Sequence, residues 1–289
     1  MEAKIEYFSG AGNIFSVLDN RNNLIKDELL ADVAQKSCKK ISPFTMNTEG
    51  FIVVSNNEST DIQNSFLVKF YNPDGSTGMM CGNGARCAVK FAEMLNLINK
   101  TDSKQPVRFE LAGTEYLAYI NNDLISVRFP RPRNYKPNLK IPFQEYVILA
   151  DFVDVGTPHL LFKYEEIPNS KKFVFRFYPI DDFAMPIRYN ELRFPEGVNV
   201  SIYSIENRSR VHIRTYERGV EHETGACGTG AISLAYNLYK KGLVNSHIEV
   251  IPTSKNSLFV DIIINEENEV IGFTLTGNAE KIGEALIQI

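Results

Sequence analysis

Two cysteines in this chain are followed by the same small residues. Cys81 opens Cys-Gly-Asn-Gly-Ala and Cys227 opens Cys-Gly-Thr-Gly-Ala, at an offset of 227 − 81 = 146 in a chain of 289 residues. Each stands just before a stretch of helical periodicity, 83–96 in the first case and 228–241 in the second. A thiol at a helix start meets backbone N–H groups with no partner inside the helix, which favour the thiolate. The same N–H groups can grip a carboxylate, and glycine lets that carboxylate approach the backbone. Each motif therefore offers one acid/base group and half of a carboxylate cradle. Two such motifs facing one Cα could invert it: one thiolate takes the α-proton and the other thiol delivers a proton to the opposite face. The α-proton is weakly acidic, so burial, helix dipoles and donors to the carboxylate must stabilise the developing charge. Thiols titrate near working pH, which suits the transfer, and the chemistry asks for no pyridoxal phosphate.

Other roles for the cysteines fit less well. Zinc takes four closely spaced Cys or His ligands, whereas Cys81 and Cys87 are six apart with no histidine near, so no metal site is expected. No Gly-Lys-Ser/Thr follows either motif, and "GAGNIF" (10–15) lacks the third glycine of a dinucleotide loop. Cys38 and Cys87 lie inside helical patterns and read as packing residues. Two weaker pairs share the offset: Gly10 and Asn13 with Gly156 and His159, and Tyr71 and Asn72 with Glu217 and Arg218. Three polar, glycine-bearing loops at one offset suggest two copies of one module.

The elements that must carry these loops are mostly strands. Runs at 51–54, 65–71, 107–111, 116–120, 124–129, 146–155, 173–177, 198–203, 211–216, 247–251 and 258–264 are β-branched, aromatic or alternating. A third helix is expected within 26–40. Strands outnumber helices without alternating one for one, which predicts α+β. "PRPRNYKP" (130–137) reads as a crossing between the halves. His212, His222 and His247 read as surface or structural, and "EENE" (266–269) as a solvated turn.

Composition bounds the rest. Length suits two domains. Hydrophobic content of 44% and charged content of 23% are ordinary for a globular protein, and a net charge of −4 offers no footprint for nucleic acid. No apolar run is long enough to span a bilayer, and "MEAKIEYFSG" lacks a secretory layout. Four cysteines are no disulfide framework, so a cytoplasmic protein with reduced thiols is expected.

At these residues the sequence resembles the diaminopimelate epimerase family. The resemblance runs through "YFSGAGNIF", "YNPDGSTGMMCGNGARC", "VGTPHLL", "FPEGVNV", "TYERGVEHETGACGTGA" and "LTGNAEKI", essentially the whole chain. It implies two pseudo-symmetric domains, 1–123 with 276–289 and 124–275, each a curled, barrel-like sheet around a central helix. It implies a small amino-acid substrate in the cleft between them, LL- or meso-diaminopimelate on the route to lysine and peptidoglycan, and a homodimer. Cys81 and Cys227 become the acid/base pair. Gly82, Asn83, Gly228 and Thr229 grip the reacting carboxylate, with Asn13 nearby. Asn72, Asn199, Glu217 and Arg218 hold the distal end: Arg218 forks to its carboxylate and Glu217 pairs with its ammonium. His159 and Glu217 poise the two thiols. Thr157 stands where the family often has asparagine in a distal contact, and Ile14 where aspartate is common. "ERGVEHET" is slightly longer than the shortest family versions, and "NTEGF" (47–51) matches a loop near the reacting centre.

Three other functions compete. A cofactor-independent racemase of another amino acid shares the chemistry but does not need Arg218 and Glu217. A cysteine hydrolase with Cys227 as nucleophile and His159 as base leaves Cys81 unexplained. A non-catalytic amino-acid binding protein predicts binding without isotope exchange.

Overall fold

The computed structural model describes residues 2–39, 48–57, 65–77, 80–98 and 105–288. In chain order the strands and helices are β1 (Glu2–Gly10), β2 (Asn13–Asp19), α1 (Asp27–Ser37), β3 (Gly50–Asn56), β4 (Ser65–Tyr71), α2 (Gly82–Met94), β5 (Val107–Leu111), β6 (Thr114–Asn121), β7 (Leu124–Pro130), β8 (Asn134–Phe143), β9 (Tyr146–Asp154), β10 (Pro158–Lys163), α3 (Ile180–Arg188), β11 (Asn199–Asn207), β12 (Arg210–Glu217), β13 (His222–Glu223), α4 (Gly228–Lys240), β14 (His247–Ile251), β15 (Leu258–Ile264), β16 (Val270–Asn278) and β17 (Glu280–Gln288). Two compact units result: Met1–Arg128 with Thr276–Ile289, and Phe129–Leu275. Lys40 of the expected third helix and Asn47 of the "NTEGF" loop lie outside the described residues, as do Gly78 and Met79.

The first unit builds one sheet in the order β17-β1-β2-β3-β4-β5-β6-β7. Its neighbours are antiparallel except β2 with β3 and β4 with β5. The second unit orders β8-β9-β10-β11-β12-β14-β15, antiparallel except β10 with β11 and β12 with β14. The direction of each step is the same in the two units, so the repeat read from the glycine motifs extends to strand pairing.

Each sheet curls around one helix. α2 packs against β1, β2, β3 and β4, and α4 against β9, β10, β11, β12, β14 and β15. A helix that touches four or more strands of one curled sheet is enclosed by it, and both helices are correspondingly buried on nearly every side. The other sheet face is covered by a second helix. Leu30, Val33 and Ala34 of α1 join Ile5, Tyr7, Leu18, Phe51 and Val53. Ile180, Phe183, Ala184 and Ile187 of α3 join Leu160, Phe162, Val200 and Ile202. β3 and β11 are thus covered on both faces, which explains why their first five residues are buried without alternation.

Two expectations fail for physical reasons. Residues 173–177 are not a strand; they follow and enter the 3-10 turns Ser170–Lys172 and Phe175–Phe177. Local bonds capture the backbone there, Phe173 N–H to Ser170 O and Phe177 N–H to Val174 O, while the Tyr164 hydroxyl donates to Ser170 O and Phe173 O. The stretch 130–137 is not a free crossing either. β7 ends at Pro130, and β8 starts at Asn134 against β9. Pro137 is tolerated because the pairing slips between Lys136 and Leu139, with Asn138 at φ 56°. β1, β2, β8, β10, α3, β13, β16 and β17 were not expected.

Cys87 and Cys38 are buried as packing residues, one inside α2 and one at the end of α1. His222 and His247 are exposed, His212 is half-buried, and 266–269 is an exposed turn.

Candidate active site

Cys81 and Cys227 take the same position in their units. Each is the N-cap of its central helix, at φ −113°, ψ 113° and φ −116°, ψ 113° respectively. Extended backbone at the cap turns the following amides outward, free of the intrahelical ladder.

In the first unit, Cys81 Sγ accepts the Gly84 N–H at 3.4 Å. The β1–β2 hairpin closes over this turn. Gly10 pairs with Asn13 across a two-residue tip whose Ala11 and Gly12 have φ 53° and 92°, as a tight primed turn requires. A Cβ on Gly10 would sit 2.8 Å from Asn83 O and 2.9 Å from Cys87 Sγ, so only glycine fits. Asn13 and Asn83 are both buried. Arg86, also buried, donates to Asn83 Oδ1 at 2.7 Å, to Gly82 O at 3.3 Å and to Asn278 O at 3.4 Å. Asn278 Oδ1 in turn accepts the Ala11 N–H at 3.2 Å. Asn72 occupies a turn of its own, donating to Ser76 Oγ at 2.9 Å.

In the second unit, polar groups crowd the sulfur. Cys227 Sγ lies 3.5 Å from Thr229 Oγ1 and 3.9 Å from His159 Nε2. Thr229 Oγ1 is 3.0 Å from the same nitrogen, and Asn199 Nδ2 is 3.3 Å from it. Asn199 is oriented by the Arg218 backbone N–H, which donates to its Oδ1 at 2.7 Å. Its amide NH₂ therefore faces His159, Nε2 accepts, and the imidazole proton belongs on Nδ1. Burial, reinforced by the Arg218 charge, pushes the His159 pKa down to about 3, so the ring is neutral. The Cys227 thiol also donates to Glu217, and Thr224 Oγ1 donates to Glu217 Oε1. Burial raises the Glu217 pKa, and these two hydrogen bonds pull it partly back.

The strand pairing explains the assembly. β10 and β11 run parallel with His159 opposite Asn199. Glu217 ends β12 beside the turn that leads to β13, and Arg218 follows it. The Arg218 guanidinium donates to Glu196 O, and a Cβ on Gly197 would meet Arg218 Cδ at 2.8 Å. Thr157 is half-buried in the link between β9 and β10.

Most of the expected residues thus fall into two groups, while Asn72 occupies its own turn and Thr157 the link between β9 and β10. Cys81, Gly82 and Asn83 form the first turn of α2, and Asn13 ends the hairpin that closes over it. Cys227, Gly228, Thr229, His159, Asn199, Glu217 and Arg218 meet at one end of the second unit. Within that unit His159 and Glu217 both lie against Cys227. Sequence reasoning missed Arg86, Asn278 and Thr224. Arg86 had a signal: a charged side chain in the helix opened by Cys-Gly-Asn-Gly-Ala, where the second copy has Ile232 (86 + 146 = 232).

The comparisons agree on kinship. The diaminopimelate epimerase family model matches residues 8–127 and 152–282. A diaminopimelate epimerase of Flavobacterium psychrophilum is 31% identical over 286 residues, covering 98% of this chain and 100% of the relative. One of Aquifex aeolicus is 32% identical over 283 residues, covering 95% and 94%. Among solved structures, a hydroxyproline epimerase from Agrobacterium vitis superposes with a TM-score of 0.73 at 13% identity, covering 99% of this chain and 92% of that one. A PhzF-family phenazine biosynthesis protein of Bacillus anthracis gives 0.70 at 13% identity, covering all of both chains. These last two share the fold. With its paired cysteine caps and a family match over most of its length, the chain belongs to the diaminopimelate epimerase family.

Proposed function

We propose that this protein interconverts LL- and meso-diaminopimelate by a two-thiol mechanism, as a step towards lysine and peptidoglycan precursors. The observation that carries it is the pair of cysteine-capped helices, matched in backbone angles, in a chain of this family. Cys81 and Cys227 act on opposite faces of one Cα: one sulfur takes the α-proton while the other gives its proton to the opposite face. The net result is inversion with no change of oxidation state, and no pyridoxal phosphate takes part. The outward amides after each cap, at Gly82, Asn83, Gly228 and Thr229, grip the reacting carboxylate together with Asn13. Asn72, Thr157, Asn199, Glu217 and Arg218 hold the distal amino-carboxylate end. His159, neutral and accepting through Nε2, and Glu217 poise the Cys227 proton.

Residues 1–123 with 276–289, and residues 124–275, serve as the two catalytic domains, and the active protein is a homodimer. The mechanism needs both thiols reduced, which suits the cytoplasm. Among the described residues no helix is long and apolar enough to cross a membrane.

The test is incubation with diaminopimelate in heavy water. Deuterium at Cα with inversion is expected, and either Cys81→Ala or Cys227→Ala is expected to slow inversion by roughly 10³-fold or more. Exchange into proline or hydroxyproline but not diaminopimelate would overturn the substrate. Inversion that survives either substitution would overturn the mechanism.

A further inference from the structure

We propose that Arg86 is a positioning residue that favours the thiolate form of Cys81 and so makes the two catalytic sulfurs unequal. Its catalytic consequence rests on the two-thiol reading above; its effect on the sulfur does not.

Arg86 is 0% exposed and heads the fully buried side chains by volume. Its three hydrogen bonds go to neutral acceptors: Gly82 O, Asn83 Oδ1 and Asn278 O. No carboxylate among the described residues forms an ion pair with it. A buried charge without a counter-ion is costly, and hydrogen bonds to neutral groups only partly offset the lost hydration. Burial pushes its pKa down to about 10, which still leaves it protonated at neutral pH. The ionisable groups that act on this place are Cys87, Cys81 and Glu49. Cys87 is fully buried and driven strongly upward by that burial, so it stays a neutral thiol. Glu49 is felt at Cys87 and is not among the groups that act on Arg86. Cys81 is the remaining candidate for the compensating negative charge. It is partly exposed, and its sulfur already accepts the Gly84 N–H.

Arg86 also fixes the cradle. Its fork holds Gly82 O and Asn83 Oδ1 together, which locks the first turn of α2 with the amides directed outward. The second unit has no such cation at this position, because Ile232 stands there, buried. Cys227 instead faces two proton acceptors, Glu217 and the neutral His159. A carboxylate beside a sulfur disfavours the thiolate, and a guanidinium favours it. The resting site therefore holds an anionic Cys81 and a protonated Cys227. Cys81 removes the α-proton from the first substrate and Cys227 supplies its own. The two sulfurs then exchange protons with solvent to restore the resting state.

The experiment is iodoacetamide alkylation followed by mass spectrometry from pH 5 to 10, in Cys227→Ser so that Cys81 is read alone. Arg86→Met is expected to raise the alkylation midpoint of Cys81 by about one pH unit. Arg86→Lys, which keeps the charge but not the fork, is expected to stay within a few tenths of a unit. A folded Arg86→Met protein with an unchanged midpoint overturns the proposal, and so does an Arg86→Lys shift as large as that of Met. A comparison that leaves Arg86 intact guards against misfolding. Cys81 in Cys227→Ser is expected to have a lower midpoint than Cys227 in Cys81→Ser, and the reverse order overturns the proposal. Failure of deuterium exchange in the unsubstituted protein would sink the epimerase reading while leaving these midpoints in place.

Discussion

The two units share a backbone plan and differ in what surrounds the sulfur. Both have a cysteine N-cap, two glycines in the next three positions, and the same order of parallel and antiparallel strand steps. Around Gly84 the sheet presents Phe70 and Ile52; around Gly230 it presents His159 and Thr215. The helix position that is Arg86 in one unit is Ile232 in the other, and Cys87 corresponds to Ser233 (87 + 146 = 233). The first unit thus offers its sulfur a backbone donor and a buried cation, the second a set of acceptors. Duplication gives each unit a cysteine-capped helix, and divergence at the flanking side chains gives the two sulfurs different surroundings.

Four substitutions break or sharpen that contrast. The largest effect is expected at Glu217. Glu217→Gln removes the carboxylate that accepts the Cys227 proton, and should lower kcat for inversion about 10²-fold. Steady-state kinetics on diaminopimelate checks this, and a change confined to KM would assign Glu217 to substrate binding alone.

His159→Asn tests the neutral imidazole through stability. The folded protein keeps His159 unprotonated down to a pKa of about 3, whereas the unfolded chain takes up the proton near pH 6.5. Between those values the unfolded state binds more protons, so stability conferred above pH 6.5 is lost as pH falls. Urea unfolding from pH 7 to pH 4 should show this acid limb, worth on the order of a few kcal/mol, and His159→Asn should flatten it. An unchanged limb would mean that other groups govern acid unfolding.

The smallest effects compare equivalent glycines. A Cβ on Gly230 would lie 3.2 Å from His159 Cε1 and 3.3 Å from both Cys227 Cβ and Thr215 Oγ1. On Gly84 it would lie 3.2 Å from Phe70 Cε2 and 3.5 Å from Cys81 Cβ and Ile52 Cδ1. Gly230→Ala therefore displaces the imidazole and should slow isotope exchange about tenfold. Gly84→Ala presses mainly on a ring edge and should keep exchange within about threefold. Equal losses would show that crowding of the helix turn, not the polar set, controls the rate.

Much of the frame is legible in the sequence. β5 and β15 match the alternating runs at 107–111 and 258–264 because half-buried strands impose a period of two. α2 and α4 follow from apolar spacing and small residues at their starts. The failures have common causes. An aromatic run such as 173–177 reads as a strand whether its backbone pairs with a sheet or bonds locally. Pro137 and Pro142 hide β8 because a bulge that absorbs Pro137 leaves no mark in the sequence. α3 carries Pro186 within it and passed unnoticed.

The sequence by itself determined the two thiols, their helix-start chemistry and the 146-residue repeat, because these depend on short motifs and their spacing. Only the tertiary structure decided the company each sulfur keeps. His159 and Asn199 are 40 residues apart, and the parallel register of β10 with β11 sets them side by side. Glu217 reaches Cys227 from the end of β12. Arg86, which a helical wheel would leave to solvent, is enclosed because the sheet curls around α2. Burial removes water from that guanidinium, so acceptors on α2 and β16 take the place of its hydration.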